Sequence, residues 1–292
     1  MTNPSLEDLR QAIDTIDDTI HELLLRRVDV VAPMATLKAR EPGRDFMRPA
    51  READILRRLI ARHTGPLPVD VMVGIWREVI SAILRLQGAF SVHVFATLDP
   101  DHGPDLAIWD LARAYFGIAT PMTVQASTQK LIRAVAETPG ALGVVPPAAG
   151  SDSEPAWWQG LLSEDHARPH IIARIPFITG EGVAVAFPPA YVLGCVEPAE
   201  TGDDTTVIAL IAEPSVSRAR ILAGLEAGQS PVRVLATRDE AGPSPLRHYL
   251  CEIDGFHYGA DEALAGRIQV PGIVQAAALG AYARPAEIKK AP

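Results

Sequence analysis

Leu9, Ile13, Ile16, Ile20 and Leu23 recur at steps of four, three, four and three residues, the spacing of one apolar stripe along an α-helix. Val30, Met34 and Leu37 continue the rhythm, so residues 5–40 read as one long helix capped by Ser5 and Asp8. One stripe position breaks the pattern, because residue 27 is Arg. Pro33 falls inside the helix and is expected to kink it or cost it a hydrogen bond. EPGRDF (41–46) reads as a turn. A second helix starts near Pro49, a good first-turn residue, with a stripe of Glu52, Leu56 and Leu59. After a break at HTGPLP (63–68), a third helix over about 69–88 repeats the steps with Trp76, Ile80, Ile83 and Gln87. Each of the three helices thus places one polar residue, Arg27, Glu52 or Gln87, where the pattern asks for an apolar one. Burying such a group is costly unless something pairs with it. Three of them facing one interior imply a polar ligand, and the nearby cations Lys38 and Arg51 make that ligand an anion.

Beyond Phe90 the periodicity changes. SVHVFATL (91–98) alternates like a strand, DLAIWDLARAYFG and STQKLIRAVAET read as amphipathic helices, and ALGVVPP (141–147) as a buried strand. HIIARIPF and VAVAF are further strand candidates, giving an α/β rhythm to about residue 200. From Thr205 the order is strand (TTVIALIAE), helix (SVSRARILAGLEAG), strand (VRVLATRD), strand (LRHYLCEID), helix (DEALAGRI) and strand (VQAAALGAY). That βαββαβ series has a ferredoxin-like order. The expected protein is multidomain, α and α+β: a three-helix all-α domain over 1–90, an α/β lobe over 91–200 and a ferredoxin-like unit over 203–285.

Charge and composition narrow the chemistry. Of 27 Lys+Arg and 36 Asp+Glu, residues 1–90 hold 13 of each, so the remainder carries the whole net charge of −9. An acidic remainder argues against a nucleic-acid partner. The two cysteines, Cys195 and Cys251, suggest no disulfide framework and fit a reduced, cytoplasmic setting. MTNPSLEDLR has none of the character of a signal peptide. VAVAFPPAYVLGCV is too short and too interrupted by proline to span a bilayer, so no membrane partner is expected. The histidines lack metal-ligand spacing, and no phosphate-binding or dinucleotide fingerprint is present.

Helix geometry then constrains the anion site. Arg27 and Lys38 lie 11 residues apart, about 16 Å and three turns, on one face. Arg10 and Lys38 lie 28 residues apart, roughly 42 Å along a straight helix, so one small ligand cannot touch both from one chain. If Arg10 serves this site, it comes from a second copy.

Residues 4–88 resemble the all-helical chorismate mutases. The resemblance rests on Leu9-Arg10, Leu24-Leu25-Arg26-Arg27, Lys38, Arg48-Pro49-Ala50-Arg51-Glu52, and Ile75-Trp76-Arg77-Glu78-Val79-Ile80-Ser81 followed by Gln87. It implies an intertwined helical homodimer and the isomerisation of chorismate to prephenate by a [3,3] pericyclic shift, in phenylalanine and tyrosine biosynthesis. Such a reaction needs no nucleophile, metal or proton transfer, so no cofactor is expected. The site must hold a dicarboxylate in a compact conformer and stabilise charge growing on the breaking ether oxygen. By the family pattern, Arg27 and the partner subunit's Arg10 grip the carboxylates, with Arg51 assisting. Lys38 and Gln87 hydrogen-bond the ether oxygen, and Glu52 binds the ring hydroxyl. Arg48 and Ile83 line the site but depart from the pattern, which has an acid and a small polar residue at these positions in some members. Taken singly, Arg10 and Lys38 read as solvated helix residues, and Arg27 as half of a structural ion pair.

Tyr115-Phe116-Gly117, helix 127–137 and Gly143-Val144-Val145-Pro146 resemble the first lobe of prephenate dehydratase. The family's key stretches are replaced by Leu98–Asp105, by Pro147-Ala148-Ala149 and by Ala190-Tyr191-Val192, so dehydratase activity is not expected. Residues 203–285 resemble an ACT domain, best at Leu279–Pro285, with altered effector motifs at Pro214–Ser217 and Ala236–Asp239. An amino-acid effector there and a ligand-free dimerising scaffold both stay open. Trp157-Trp158 reads as a loop pair covering a core. The alternatives to a mutase are a non-catalytic regulatory protein that binds chorismate or an amino acid, and an isochorismate pyruvate-lyase, which uses the same helical fold.

Overall fold

The computed structural model describes residues 4–39, 47–96, 98–99, 103–104, 106–147, 156–162, 168–181, 183–184, 187–226, 231–240, 245–259 and 270–289. Three helices come first: α1 (Leu6–Ala39), α2 (Pro49–Arg62) and α3 (Val69–Gln87). The cap of α1 is reciprocal, as Ser5 and Asp8 predict. Asp8 N donates to Ser5 Oγ at 3.1 Å and Ser5 N donates to Asp8 Oδ2 at 2.9 Å. Hydrogen bonds from the Ser5 hydroxyl and main chain hold the Asp8 carboxyl below its usual range. Pro33 does not end the helix, which runs on to Ala39. Pro49 sits in the first turn of α2. The segment 41–46, expected as a turn, lies outside the described residues.

The stripes of α2 and α3 face the interior, with Leu56, Ile80 and Ile83 buried. The stripe of α1 does not. Leu9, Ile13, Ile16, Ile20 and Leu23 are all about half exposed, and Val30 is 72% exposed. The periodicity is right for a helix, but the described residues of this chain supply no surface that covers its apolar face.

The next part holds β1 (Ser91–Phe95), β4 (Met122–Gln125), β5 (Ala141–Val145), β6 (His170–Ile175) and β8 (Ala190–Gly194). Strands β4, β1 and β5 are parallel, and β8 joins β5 and β6 antiparallel. Helices α4 (Ala107–Phe116) and α5 (Thr128–Glu137) connect the parallel strands. Small side ribbons pair β2 (Leu98–Asp99) with β3 (Gly103–Pro104), and β7 (Ile178–Gly180) with β13 (Ala286–Ile288). Strands β4 and β8 have no counterpart in the sequence pattern. The expected VAVAF strand is a correction: Val183, Ala184 and Phe187 are irregular, and the strand lies instead at Ala190–Gly194, past two prolines. Trp157 and Trp158 are buried on a 3₁₀ turn (Trp157–Leu161) beside α5.

The last part holds β9 (Asp204–Ala212), α6 (Arg218–Glu226), β10 (Val232–Glu240), β11 (Leu246–Asp254) and β12 (Ile273–Ala283), its strands antiparallel throughout. The expected helix DEALAGRI lies outside the described residues. Together the two parts form one nine-stranded sheet in the order β10-β11-β9-β12-β6-β8-β5-β1-β4. They meet where β12 runs parallel to β6 at the pair Gly280–Ile171. Gly280 has φ +152, and a Cβ there would collide with the Ile171 carbonyl oxygen, so only glycine fits.

A buried carboxylate ties the two parts together. Glu252 of β11 accepts hydrogen bonds from Tyr191 of β8 at 2.7 Å and Tyr282 of β12 at 2.6 Å, both on Oε1. Its Oε2 pairs with Arg233 of β10 at 2.9 Å. Burial, and then the nearby carboxylate, push both tyrosine hydroxyls well up.

Candidate active site

The helical segment is packed onto the sheet. Met47, Ala53, Leu56, Met72 and Val73 share one core with Val92, Val94, Ile108, Leu111 and Phe116. Polar contacts cross the same boundary. Arg57 donates to Thr201 Oγ1 at 2.8 Å and to the Asp203 carbonyl at 2.6 Å. Arg85 donates to Thr120 Oγ1 at 3.0 Å, and Ile118 N donates to Glu78 at 2.9 Å.

Among the described residues, seven buried side-chain polar atoms have no hydrogen-bond partner, and four lie on the three helices. They are Arg27 Nη1, Glu52 Oε1, Arg77 Nη2 and Ser81 Oγ. An unmade hydrogen bond on a buried group costs about 1–3 kcal/mol. Four of the seven thus fall within one helical segment.

Arg27, half-buried on α1, has its guanidinium carbon 5.8 Å from the centroid of the Trp76 ring on α3. Desolvation lowers its pKa from the usual arginine range, and it remains a cation. Glu52 is 5% exposed on the first turn of α2. Its Oε2 accepts from Arg77 Nη1 at 2.7 Å, which leaves Oε1 as the open acceptor. Nothing in the sequence pattern announces that pairing. Arg48 and Arg51 are exposed at the start of α2 and line a cavity of about 590 Å³ with Cys195, Glu197 and Tyr282. Ile83 is 7% exposed and can offer only apolar contact. Gln87 closes α3, half-buried. Lys38 lies on the last turn of α1, and its side chain is outside the described residues. Arg10 is exposed near the other end of α1, 3.8 Å from Glu7.

The structure therefore joins Glu52 to Arg77, Arg27 to Trp76, and Arg48 to Arg51. It leaves Arg10 apart from all of them on this chain. Arg77 and Ser81 are the polar groups that the pattern does not single out. Arg77 lies next to the stripe position Trp76 and Ser81 next to Ile80, and both are buried. The cue available in the sequence is an Arg one step off the stripe of a helix with few other charges. Among the described residues, no group of three or more His, Cys, Asp or Glu side chains is placed to hold a metal, and no helix is long and apolar enough to cross a membrane.

Residues 9–88 match the family model for chorismate mutase type II. A bifunctional chorismate mutase/prephenate dehydratase of Pseudomonas aeruginosa is 31% identical over 145 residues, 48% of this chain and 38% of that protein. One of the same description from Neisseria gonorrhoeae is 36% identical over 83 residues, 28% of this chain and 22% of that protein. The matched region is thus well under half the length of these relatives. Among solved structures, a prephenate dehydratase from Streptococcus mutans aligns over 68% of this chain and all of its own, at TM-score 0.41 and 14% identity. One from Staphylococcus aureus aligns over 66% of this chain and all of its own, at TM-score 0.43 and 9% identity. It is this helical segment, residues 9–88, that is similar to the chorismate mutase type II family.

Proposed function

We propose that this protein is a chorismate mutase that isomerises chorismate to prephenate, and that its C-terminal parts regulate or support that activity without dehydrating prephenate. The observation that carries this reading is the group of unpartnered buried polar atoms on the three helices of the family segment. In the proposed complex, Arg27 and the partner subunit's Arg10 hold the carboxylates, with Arg51 assisting, since guanidinium forks suit them. Oε1 of Glu52 accepts the ring hydroxyl. Lys38 and Gln87 donate to the ether oxygen as its charge grows. Arg48 and Ile83 border the substrate.

The exposed stripe of α1 supports a homodimer. A face with Leu9, Ile13, Ile16, Ile20 and Leu23 half in water is the kind that a second copy covers. Arg10 lies near the N-terminal end of the same helix, so a partner helix running antiparallel brings it toward the Lys38 end of the first. The strand order β10-β11-β9-β12, with α6 between β9 and β10, supports an ACT-like reading of residues 203–285. Against dehydration, Ala190 and Tyr191 stand where the resemblance has a hydroxyl residue and an arginine, and the Tyr191 hydroxyl is committed to Glu252.

The test is the loss of chorismate followed spectroscopically, with Arg10→Ala and Arg27→Ala studied singly and mixed. Each single variant is expected to lose at least about 100-fold in kcat/KM. After subunit exchange the mixture regains activity, because each mixed dimer holds one site with both arginines intact. No turnover by well-folded parent protein refutes the mutase reading. Turnover without recovery on mixing refutes the shared site alone.

A further inference from the structure

We infer that Arg77 is a positioning residue for the mutase reaction, and that through it the α/β lobe holds the carboxylate that reads the substrate's ring hydroxyl. This rests on the mutase reading above. Three contacts fix the Arg77 side chain, and only one belongs to the helical segment. Nη1 donates to Glu52 Oε2 at 2.7 Å. Nε donates to the main-chain carbonyl of Tyr115 at 2.8 Å. The guanidinium carbon lies 3.6 Å from the centroid of the Tyr115 ring. Tyr115 is on α4, a helix of the lobe that connects two parallel strands of the sheet.

Burial and charge make this arrangement stiff. Arg77 is 2% exposed and Glu52 5%, so water cannot replace either partner. Burial opposes the Arg77 charge, but Tyr115 and Glu52 together outweigh it and hold the guanidinium above its usual range. One oxygen of Glu52 is thereby tied down and the other, Oε1, is left with a single orientation. A carboxylate on the first turn of a helix would otherwise turn about its side-chain bonds, and a productive contact needs placement within about 0.5 Å. Glu78, the next residue on α3, is bonded to Ile118 N just past α4, so the register of α3 against the lobe is fixed beside the relay.

This gives the lobe a task that needs no dehydratase chemistry. It is a clamp whose jaw is the Tyr115 ring and carbonyl, and its object is the mutase carboxylate. A purely structural role for Arg77 predicts a different outcome: loss of folding, with no dependence on what occupies position 52.

The experiment is a double-mutant cycle on kcat/KM for chorismate, in the full chain, with secondary structure and thermal unfolding recorded for each variant. Arg77→Met is expected to lower kcat/KM roughly 10–100-fold, the scale of a hydrogen bond to a charged group. Arg77→Lys, which can still meet Glu52 but cannot also bridge to the Tyr115 carbonyl, is expected to fall between. In a Glu52→Gln background, where the charge to be held is gone, Arg77→Met should cost less than about threefold more. Tyr115→Leu removes the stacking ring and keeps the carbonyl; it is expected to raise KM by about threefold. That variant keeps the test open if Arg77→Met does not fold. Equal losses with and without the Glu52→Gln change, or no loss on replacing Arg77, overturn the relay while leaving the mutase reading intact. A folded parent that does not turn over chorismate overturns both.

Discussion

Glu52 and Glu252 are both buried carboxylates, each beside an arginine, and they differ in one respect. Glu252 has both oxygens engaged within the chain, Oε1 by two tyrosine hydroxyls and Oε2 by Arg233. Glu52 has one oxygen engaged by Arg77 and one with no partner. The first arrangement is closed and serves the fold, because nothing remains for a ligand to bind. The second is open, and Arg27 and Ser81 of the same helical segment share its unfinished state. A buried charge signals function only when its hydrogen-bonding capacity is left incomplete by the chain around it.

The largest way to test that contrast is to remove each carboxylate. Glu252→Ala leaves two buried tyrosine hydroxyls without an acceptor and is expected to cost about 2–6 kcal/mol of stability in denaturant unfolding, with kcat/KM of the folded fraction unchanged. Glu52→Ala should lower turnover as well as stability, because it leaves the buried Arg77 charge unpaired. Equal activities in the two folded variants would erase the distinction between them.

A second test acts on protonation at the open site. A Gln at position 87 donates a hydrogen bond at every pH, so the parent's rate should stay level across neutral pH. Gln87→Glu donates only when protonated, so its rate should fall about tenfold per pH unit above the carboxyl's titration range. A steep loss near neutral pH in the parent protein would contradict the role given to Gln87.

The smallest effect belongs to the closed region. Cys251 is fully buried on β11 beside Glu252, and burial pushes its thiol from an ordinary 9.0 up to about 12. The folded state therefore keeps that proton longer than the unfolded chain. Stability is unaffected below pH 9 and falls as pH rises from 9 toward 12, by at most about 1.4 kcal/mol per pH unit for this one group. Tyr191 and Tyr282 add a slope of the same sign at higher pH. Cys251→Ala should flatten the first part of the fall, as measured by urea unfolding at stepped pH.

Much of the fold could be read from the chain. The three helices, the Ser5–Asp8 cap and strands β9 to β12 follow from periodicity and cap residues alone. The misses share a cause. AYVLG is a short continuous apolar run after two prolines, and MTVQ is a four-residue edge strand, so neither carries a period long enough to be distinctive. VAVAF has the better alternation and is irregular where described, because the neighbouring strand partners are taken by Ala190–Gly194. At the site, pattern breaks single out Arg27, Glu52 and Gln87. They cannot find Arg77, whose partner Tyr115 lies 38 residues away and is joined to it only by tertiary packing.

Gly280 has a consequence beyond the geometry of one pair. At that point the sheet's two parts come within van der Waals reach of each other's backbone, and a methyl group would collide with the Ile171 carbonyl. Any side chain at 280 would pry β12 from β6 and leave two raw strand edges facing solvent, each a template for a foreign strand. The glycine thus acts as a safeguard against aggregation. Its loss would first appear as turbidity in concentrated solution, ahead of any change in the chemistry at the other end of the chain.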